Sequence, residues 1–542
     1  MNIENLVAKT LADLGVRTIF GVMGDVNMYM VERFVAGGGD YVGAFNEAGA
    51  TQMAMGYASI TGRIGVATAT CGPGFTNTLT SLIEGEKAHH AIVVLTGQAR
   101  DDRRGFMQTV DQRALTLATG AGFERPDDAR DIQASLVRAS QRAHAELRPI
   151  VYELPPYNLH TTIDAPYKAV SLDLRRPKTA LEAGEAWDNA IGIIATAKRP
   201  IILAGYGAVL EDAKDALLQL SQRIGAPIAT TLRAKDYVRG SAADLGLMGL
   251  SCRAEAVDAL LASDCIIAFG ASLNTYTTSN GTYLNGKRVV AFNNLAFDTD
   301  KYAIPDVTIQ VNLKAAVEYV IQGLDKAEIE RSGFIDEDVV IKARKAIQQR
   351  RTLQKAEFNA PGFLSYDKAM RVIDETVGQR ILVTESGRYK YSAWHNVSVD
   401  DPRRFIPSIS YGAIGVGLGH AIGAAVADPN ATVILAVGDG GMMNAGLSEL
   451  KTIQNRKLKV LAVVCDDGAY GTEYQKFAER GVDPDFTRLE QPDFAKVATA
   501  LGGTGIRIES VDDLPRLKTA IEQWPGDGLL LVDLVVDTRS AE

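Results

Sequence analysis

Ile92 to Leu95, Ile201 to Leu203, Cys265 to Phe269, Ile381 to Val383, Val433 to Val437 and Val460 to Val464 form short, unbroken apolar runs, and stretches with amphipathic helical spacing separate them. A strand covered by helices on both faces is apolar throughout, so this alternation predicts an α/β fold of mainly parallel sheets covered by helices. Near the amino terminus Ile3, Leu6, Val7, Leu11 and Leu14 fall at helical spacing, unlike the continuous apolar run of a signal peptide. No stretch approaches the roughly 20 apolar residues needed to span a bilayer. Two segments rich in Pro and charge interrupt the pattern. One runs from Pro155 and Pro156 through Arg175, Arg176 and Pro177, the other from Lys342 to Pro361. They predict boundaries near residues 170 and 355, and so three domains over residues 1–170, 180–345 and 356–542.

The length of 542 residues agrees with this division, because a single hydrophobic core stops growing well below that size. With 46% hydrophobic and 23% charged residues the chain is an ordinary globular one, without a tract too polar to fold. The formal net charge is -9 and the Lys and Arg residues are scattered among Asp and Glu, which argues against a nucleic-acid partner. Cys71, Cys252, Cys265 and Cys465 stand far apart, with no zinc or redox spacing. They are expected as reduced core residues of a cytoplasmic protein, with no membrane partner.

The chemistry is concentrated in the third domain. The run Val433 to Val437 leads into Gly438, Asp439, Gly440 and Gly441, and Val460 to Val464 leads into Cys465, Asp466, Asp467, Gly468, Ala469, Tyr470 and Gly471. Ligands of parallel sheets bind at the carboxyl ends of the strands, and glycines there let backbone amides approach a phosphate. Either turn alone reads as a strand-to-helix connection. Two acidic rims on successive strands suit a hard cation bridging to a diphosphate, since magnesium favours oxygen ligands.

The Gly438-Asp439-Gly440 opening and the Asp466-Asp467 closing resemble the cofactor motif of the thiamine diphosphate-dependent enzymes, the family of acetolactate synthase, pyruvate oxidase, pyruvate decarboxylase and benzoylformate decarboxylase. The resemblance implies thiamine diphosphate and Mg2+ as cofactors, with Asp439, Asp467 and the carbonyl of Ala469 as metal ligands. Family members usually carry a pair of asparagines where this chain has Asp466 and Asp467. Gly387 and Arg388, after the run Ile381 to Val383, resemble a Gly-Gln turn near the diphosphate, and a guanidinium in place of the amide can bind phosphate.

The first domain carries the matching half. Glu47, in Phe45-Asn46-Glu47-Ala48-Gly49, resembles the family glutamate that hydrogen-bonds the aminopyrimidine ring. Gly72, Pro73, Gly74 and Asn77 resemble its Gly-Pro-Gly turn and asparagine, and Gly97-Gln98 the pair that closes the next strand. A carboxylate sharing a proton with the ring nitrogen makes the exocyclic amino group basic enough to deprotonate the thiazolium carbon. Taken alone, Glu47 reads equally as a capping or solvent-facing residue. In the run Tyr411, Gly412, Ala413, Ile414 and Gly415, Ile414 takes by position the role of the apolar wedge that bends the cofactor. Gln108 resembles a substrate-facing glutamine of acetolactate synthases. Glu473, after Tyr470, Gly471 and Thr472, resembles the glutamate over the thiazolium in pyruvate decarboxylases, where acetolactate synthases carry an apolar residue. Its plain alternative is a helix-start Glu favoured by the dipole.

In the middle domain Gly205-Tyr206-Gly207 is a fragment of a dinucleotide turn without its third glycine. The later strand ends, Phe269 to Leu273 and Phe292 to Asn294, lack the Arg or Asp that FAD-binding relatives use, so FAD is not expected. None of the six histidines has metal-binding spacing. His89-His90 precede a strand, unlike the catalytic pair of pyruvate decarboxylases, and His395 beside Trp394 is a minor active-site candidate. The resemblance implies an enzyme that breaks or forms a C-C bond beside a carbonyl group, as a 2-oxo acid decarboxylase or acyloin lyase. An acetolactate synthase-like carboligase is the alternative within enzymes, and a non-catalytic cofactor-binding relative or a flavin sensor outside them. An acyl-CoA lyase is not expected, because the chain ends soon after its last apolar run, Leu529 to Val536. The expected assembly is a homodimer or homotetramer with active sites at the subunit interface, acting on a small carbonyl substrate.

Overall fold

The computed structural model describes residues 1–99, 105–154, 162–163, 167–171, 184–295, 302–357 and 364–538. Most of the first segment expected to hold a domain boundary lies outside the described residues, as do residues 358–361 of the second, which otherwise belongs to the helix Asp338–Glu357. Three six-stranded sheets, parallel in their registered pairs, carry the fold. The first contains β1 (Thr18–Gly21), β2 (Asp40–Gly43), β3 (Gly65–Thr68), β4 (Ile92–Gly97), β5 (Gly122–Glu124) and β6 (Ile150–Leu154), in the order β2-β1-β3-β4-β6-β5. The central sheet contains β7 (Pro200–Ala204), β8 (Ile228–Thr230), β9 (Asp244–Leu247), β10 (Cys265–Phe269), β11 (Arg288–Asn293) and β12 (Val307–Gln310), in the order β12-β11-β10-β7-β8-β9. The third contains β13 (Arg380–Glu385), β14 (Phe405–Ser408), β15 (Thr432–Gly438), β16 (Val460–Asp466), β17 (Thr504–Ile508) and β18 (Leu529–Val535), in the order β14-β13-β15-β16-β18-β17. Counted within each sheet, the first and third share one strand order. They are two copies of one topology, a kinship invisible in the residues themselves.

The chain divides into two compact units. Residues Met1–Arg176, Gly362–Val397 and Ile406–Glu542 form one, Pro177–Pro361 with Ser398–Phe405 the other. In the first unit a continuous apolar cluster runs from Phe20, Met53 and Val94 to Leu435, Val464 and Leu531, so the two kindred sheets share a core. Each such side chain, fully buried, stabilises the unit by about 1.5–3 kcal/mol.

The join is made by two helices, Glu47–Thr61 and Gly417–Ala427. Asn46 caps the first, its side chain accepting from the Ala48 N-H at 2.8 Å. A Cβ at Gly56 would strike the His420 carbonyl and one at Gly423 the Met53 carbonyl, so the helices cross backbone to backbone. Each helix begins at a loop that carries candidate site residues, so this crossing fixes one set against the other.

In the second unit the strand order is that of a dinucleotide-binding fold, with its switch point between β7 and β10. The turn Gly205-Tyr206-Gly207 lies there. A Cβ at Gly205 would meet the Gly270 carbonyl and one at Gly207 the Asn294 side chain, so the glycines serve close backbone packing.

Candidate active site

The first half of the site sits at the carboxyl ends of β2 and β3. Glu47 opens its helix, and its Oε2 accepts from Asn77 Nδ2 at 2.9 Å, which fixes the orientation of the carboxyl group. Gly74 lies against the other oxygen, since a Cβ there would stand 3.0 Å from Oε1. Gly72 has φ +64° and precedes the short helix Pro73–Thr76. Gln108 packs on this turn: a Cβ at Gly72 would stand 2.5 Å from the Gln108 carbonyl, and the Cys71 thiol donates to Gln108 Oε1 at 3.5 Å. Glu47, Gly72, Pro73, Gly74, Asn77 and Gln108 are thus brought together.

Two side chains not singled out in the sequence hold this turn. Gln112 Oε1 accepts from the Gly72 N-H at 3.0 Å, while its Nε2 donates to the Gly97 carbonyl at 3.0 Å and to Glu153 at 2.6 Å. Glu153 is buried and ion-paired with Arg125. The one signal in the sequence was a carboxylate inside the apolar strand β6.

The second half lies at the ends of β15 and β16, which pair in parallel with Gly438 opposite Cys465. This register sets the two acidic rims side by side. Asp439 starts the helix Asp439–Ala445, and its oxygens accept from the Gly440 N-H at 2.7 Å and the Gly468 N-H at 3.1 Å. Burial, and next the charge of Asp467, push its carboxyl up to about 7. Burial also raises the Asp467 carboxyl, opposed by Arg388. Asp467 Oδ1 accepts from the Ala469 N-H at 3.2 Å, and Oδ2 pairs with Arg388 Nε at 2.7 Å. The guanidinium also donates from Nη2 to the Asp537 carbonyl at 3.3 Å and faces the Tyr366 ring. Beside it, a Cβ at Gly387 would run into the Tyr389 ring. Tyr470 is exposed, and Gly440 packs on its ring.

The loop carrying Gly412 and Ile414 is gripped by a third residue missed in the sequence. Glu385, the last residue of β13, is fully buried and accepts from the Gly415 N-H with one oxygen and from the Gly417 N-H with the other, at 2.8 Å. Burial pushes its carboxyl up to about 7. In Glu385→Gln the amide NH2 must face one of these N-H groups. The expected result is a loss of about 1–3 kcal/mol in urea denaturation of the cofactor-free protein. An unchanged midpoint would show that the loop does not depend on it.

Two further buried glutamates tie the kindred halves reciprocally. Glu84 accepts from the Ser410 and Tyr411 N-H groups at 2.9 and 2.6 Å, just before the Gly412 loop. Glu449 accepts from the Phe45 and Asn46 N-H groups at 2.9 and 3.0 Å, just before Glu47. Glu473 stands in the first turn of the helix Gly471–Glu479 with its side chain 54% exposed and 3.8 Å from Lys476.

Among the described residues no three His, Cys, Asp or Glu side chains converge as a metal cluster. The residues nevertheless fit a hard divalent cation. Asp439 and Asp467 are buried on adjacent strand ends and repel each other, which a cation relieves, and the Ala469 backbone lies between them and the next helix.

Twin α/β halves, one presenting a glutamate on a helix start and the other a buried acidic corner beside glycine-lined turns, define a cofactor-dependent α/β enzyme. Sequence comparison identifies which. The N-terminal, central and C-terminal domain profiles of the thiamine pyrophosphate enzymes match residues 1–115, 187–320 and 385–534, and the chain belongs to that family. It is 26% identical to the acetolactate synthase large subunit of Haemophilus influenzae, over 98% of this chain and 94% of the relative. It is 28% identical to a probable acetolactate synthase large subunit of Methanococcus aeolicus, over 92% and 85%. A sulfoacetaldehyde acetyltransferase of Alcaligenes xylosoxydans xylosoxydans is 25% identical, over 98% and 92%. No helix among the described residues is long and apolar enough to cross a membrane.

Proposed function

We propose that this thiamine diphosphate enzyme requires Mg2+ and cleaves a C-C bond beside a carbonyl group, as a 2-oxo acid decarboxylase or acyloin lyase. The observation that carries the reading is Glu47, oriented by Asn77 on the crossed helices that also anchor the Gly412–Ile414 loop. When bound, the cofactor supplies a carbon nucleophile that adds to the substrate carbonyl and then accommodates the electron pair released by bond cleavage. Glu47 shares a proton with the pyrimidine ring nitrogen, and Asn77 keeps its carboxyl turned for that exchange. Ile414 supplies the apolar wedge, held by Glu385. Asp439, Asp467 and the Ala469 carbonyl would hold the metal, and the backbone of the turns at Gly438, Gly441 and Gly471 would face the diphosphate. Turnover measured with 2-oxo acids, acyloins and aldehydes, with products read by mass, tests this reading. Absence of turnover with thiamine diphosphate and Mg2+ across that panel counts against it.

Carboligation is the second reading, favoured by the acetolactate synthases among the relatives. Glu473 separates the two. An exposed acid on the first turn after the metal corner delivers a proton to the product carbon, whereas an apolar residue leaves that carbon for a second carbonyl. Glu473→Gln and Glu473→Val are expected to slow aldehyde release about tenfold or more and to raise the condensed share. If neither rate nor partition changes, Glu473 is only a helix-terminal residue.

Phe45, Tyr411, Met443 and Tyr470 are exposed, and each neighbours a site residue in sequence or shares its helix. A second copy of the chain covering this rim accounts for them, so an active homodimer or homotetramer is expected. An active monomer in light scattering at assay concentration would exclude it.

A further inference from the structure

Three carboxylates are buried at the metal corner, Asp439, Asp466 and Asp467. Two of them have an arginine. Asp466 lies 3.9 Å from Arg507 Nη1, which also holds Asp533 at 2.6 Å, and Asp467 pairs with Arg388 Nε at 2.7 Å. No lysine or arginine pairs with Asp439 among the described residues. The Arg388–Asp467 pair is closed in on every side, with side chains only 5% and 6% exposed. The Asp537 carbonyl and the Tyr366 ring hold the guanidinium, and a Cβ at Gly471 would collide with the carboxylate. Neither partner can therefore turn away without the other.

Building on the reading that Asp439 and Asp467 receive a divalent cation, we propose that Arg388 is a positioning residue for that cation. It occupies Oδ2 of Asp467, leaves Oδ1 on the Ala469 side, and cancels one negative charge. Asp439 is then the one carboxylate of the corner without an arginine contact among the described residues, and it faces a cation that must also accept an anionic diphosphate. Of the three residues that depart from the family pattern, Arg388, Asp466 and Asp467, the first and last are thus one compensated exchange, a neutral pair of amides replaced by a neutral ion pair, while Asp466 faces Arg507. A lone carboxylate at position 467 adds repulsion toward the diphosphate, and a lone guanidinium at position 388 repels the metal.

The test is a double-variant cycle on the full-length protein. Arg388→Gln, Asp467→Asn and the combined variant are compared by calorimetric titration with thiamine diphosphate, at a fixed Mg2+ concentration near wild-type half-saturation. Thermal denaturation of the cofactor-free proteins runs in parallel. Each single variant is expected to bind about tenfold or more weakly and to melt lower, and the combined variant to return to within about threefold of wild type in binding. Wild-type binding in either single variant, or a combined variant no better than the weaker single one, overturns the proposal. Should a single variant be too unstable to titrate, the combined one decides alone. Wild-type-like folding and binding support the pairing, and folding with binding about tenfold weaker overturns it. A wild-type protein that takes up neither Mg2+ nor thiamine diphosphate would defeat the metal reading itself, and the pairing with it.

Discussion

Glu47→Gln is expected to lower turnover by about 10²–10⁴-fold while leaving thiamine diphosphate affinity within about threefold of wild type. The substitution is nearly isosteric, and its carbonyl oxygen can still accept from Asn77 Nδ2, which stands 2.9 Å from Glu47 Oε2. The helix start stays in place too, because Asn46 provides the cap and Glu449 holds the amides of Phe45 and Asn46. What the amide cannot do is share a proton with a ring nitrogen. Since the corner proposed to bind the diphosphate and metal is built from the other sheet, binding and turnover should separate. Stopped turnover with binding intact assigns Glu47 to proton exchange. Undiminished turnover would falsify that role, and a matching loss of affinity would make the residue a binding contact.

The strands were legible because helices cover both faces of these sheets. An apolar run with no alternation is then enough, as Val433 to Val437 and Val460 to Val464 show within β15 and β16. The acidic corner was legible for a related reason: parallel strands in register bring their carboxyl ends to one edge, so Asp439 and Asp467 meet without any long-range information. Glu84, Glu385 and Glu449 were not legible. Each is a single carboxylate that accepts from backbone amides on another segment, and for Glu84 and Glu449 those amides belong to the opposite half. An amide carries no side-chain identity for a sequence to display. Arg388 and Asp467 were each visible as unusual residues, but their pairing depends on the packing of Tyr366 and Gly471 around them. The common strand order of the first and third sheets lay hidden for the same reason, being a property of pairing and not of composition.

Asp439→Asn is expected to abolish the rise in melting temperature that Mg2+ and thiamine diphosphate give the wild-type protein, while the cofactor-free variant gains on wild type as pH rises. The buried Asp439 carboxyl is held up at about 7, by burial first and by Asp467 second. That value lies above the roughly 3.9 of an unfolded aspartate, so its contribution to stability is complete below about pH 4 and is lost as pH rises through about 7. At pH 8 the cofactor-free wild type therefore carries an ionised, buried carboxylate without a cation, and the variant does not. Against this, the Asn NH2 faces one of the two N-H groups, of Gly440 or Gly468, that the carboxylate accepts, at a cost of about 1–3 kcal/mol. The sign of the difference at one pH is thus a balance, but its trend is fixed: variant minus wild-type stability increases from pH 5 to pH 8. With ligand at about 100 times its dissociation constant the wild type should gain about 2.7 kcal/mol, and the variant, short of the carboxylate proposed to bind the metal directly, almost none. Melting curves at pH 5 and pH 8, with and without Mg2+ and thiamine diphosphate, measure both effects. A variant that keeps the ligand-induced shift removes Asp439 from the metal, and a flat pH trend means that the carboxylate is already compensated in the cofactor-free protein.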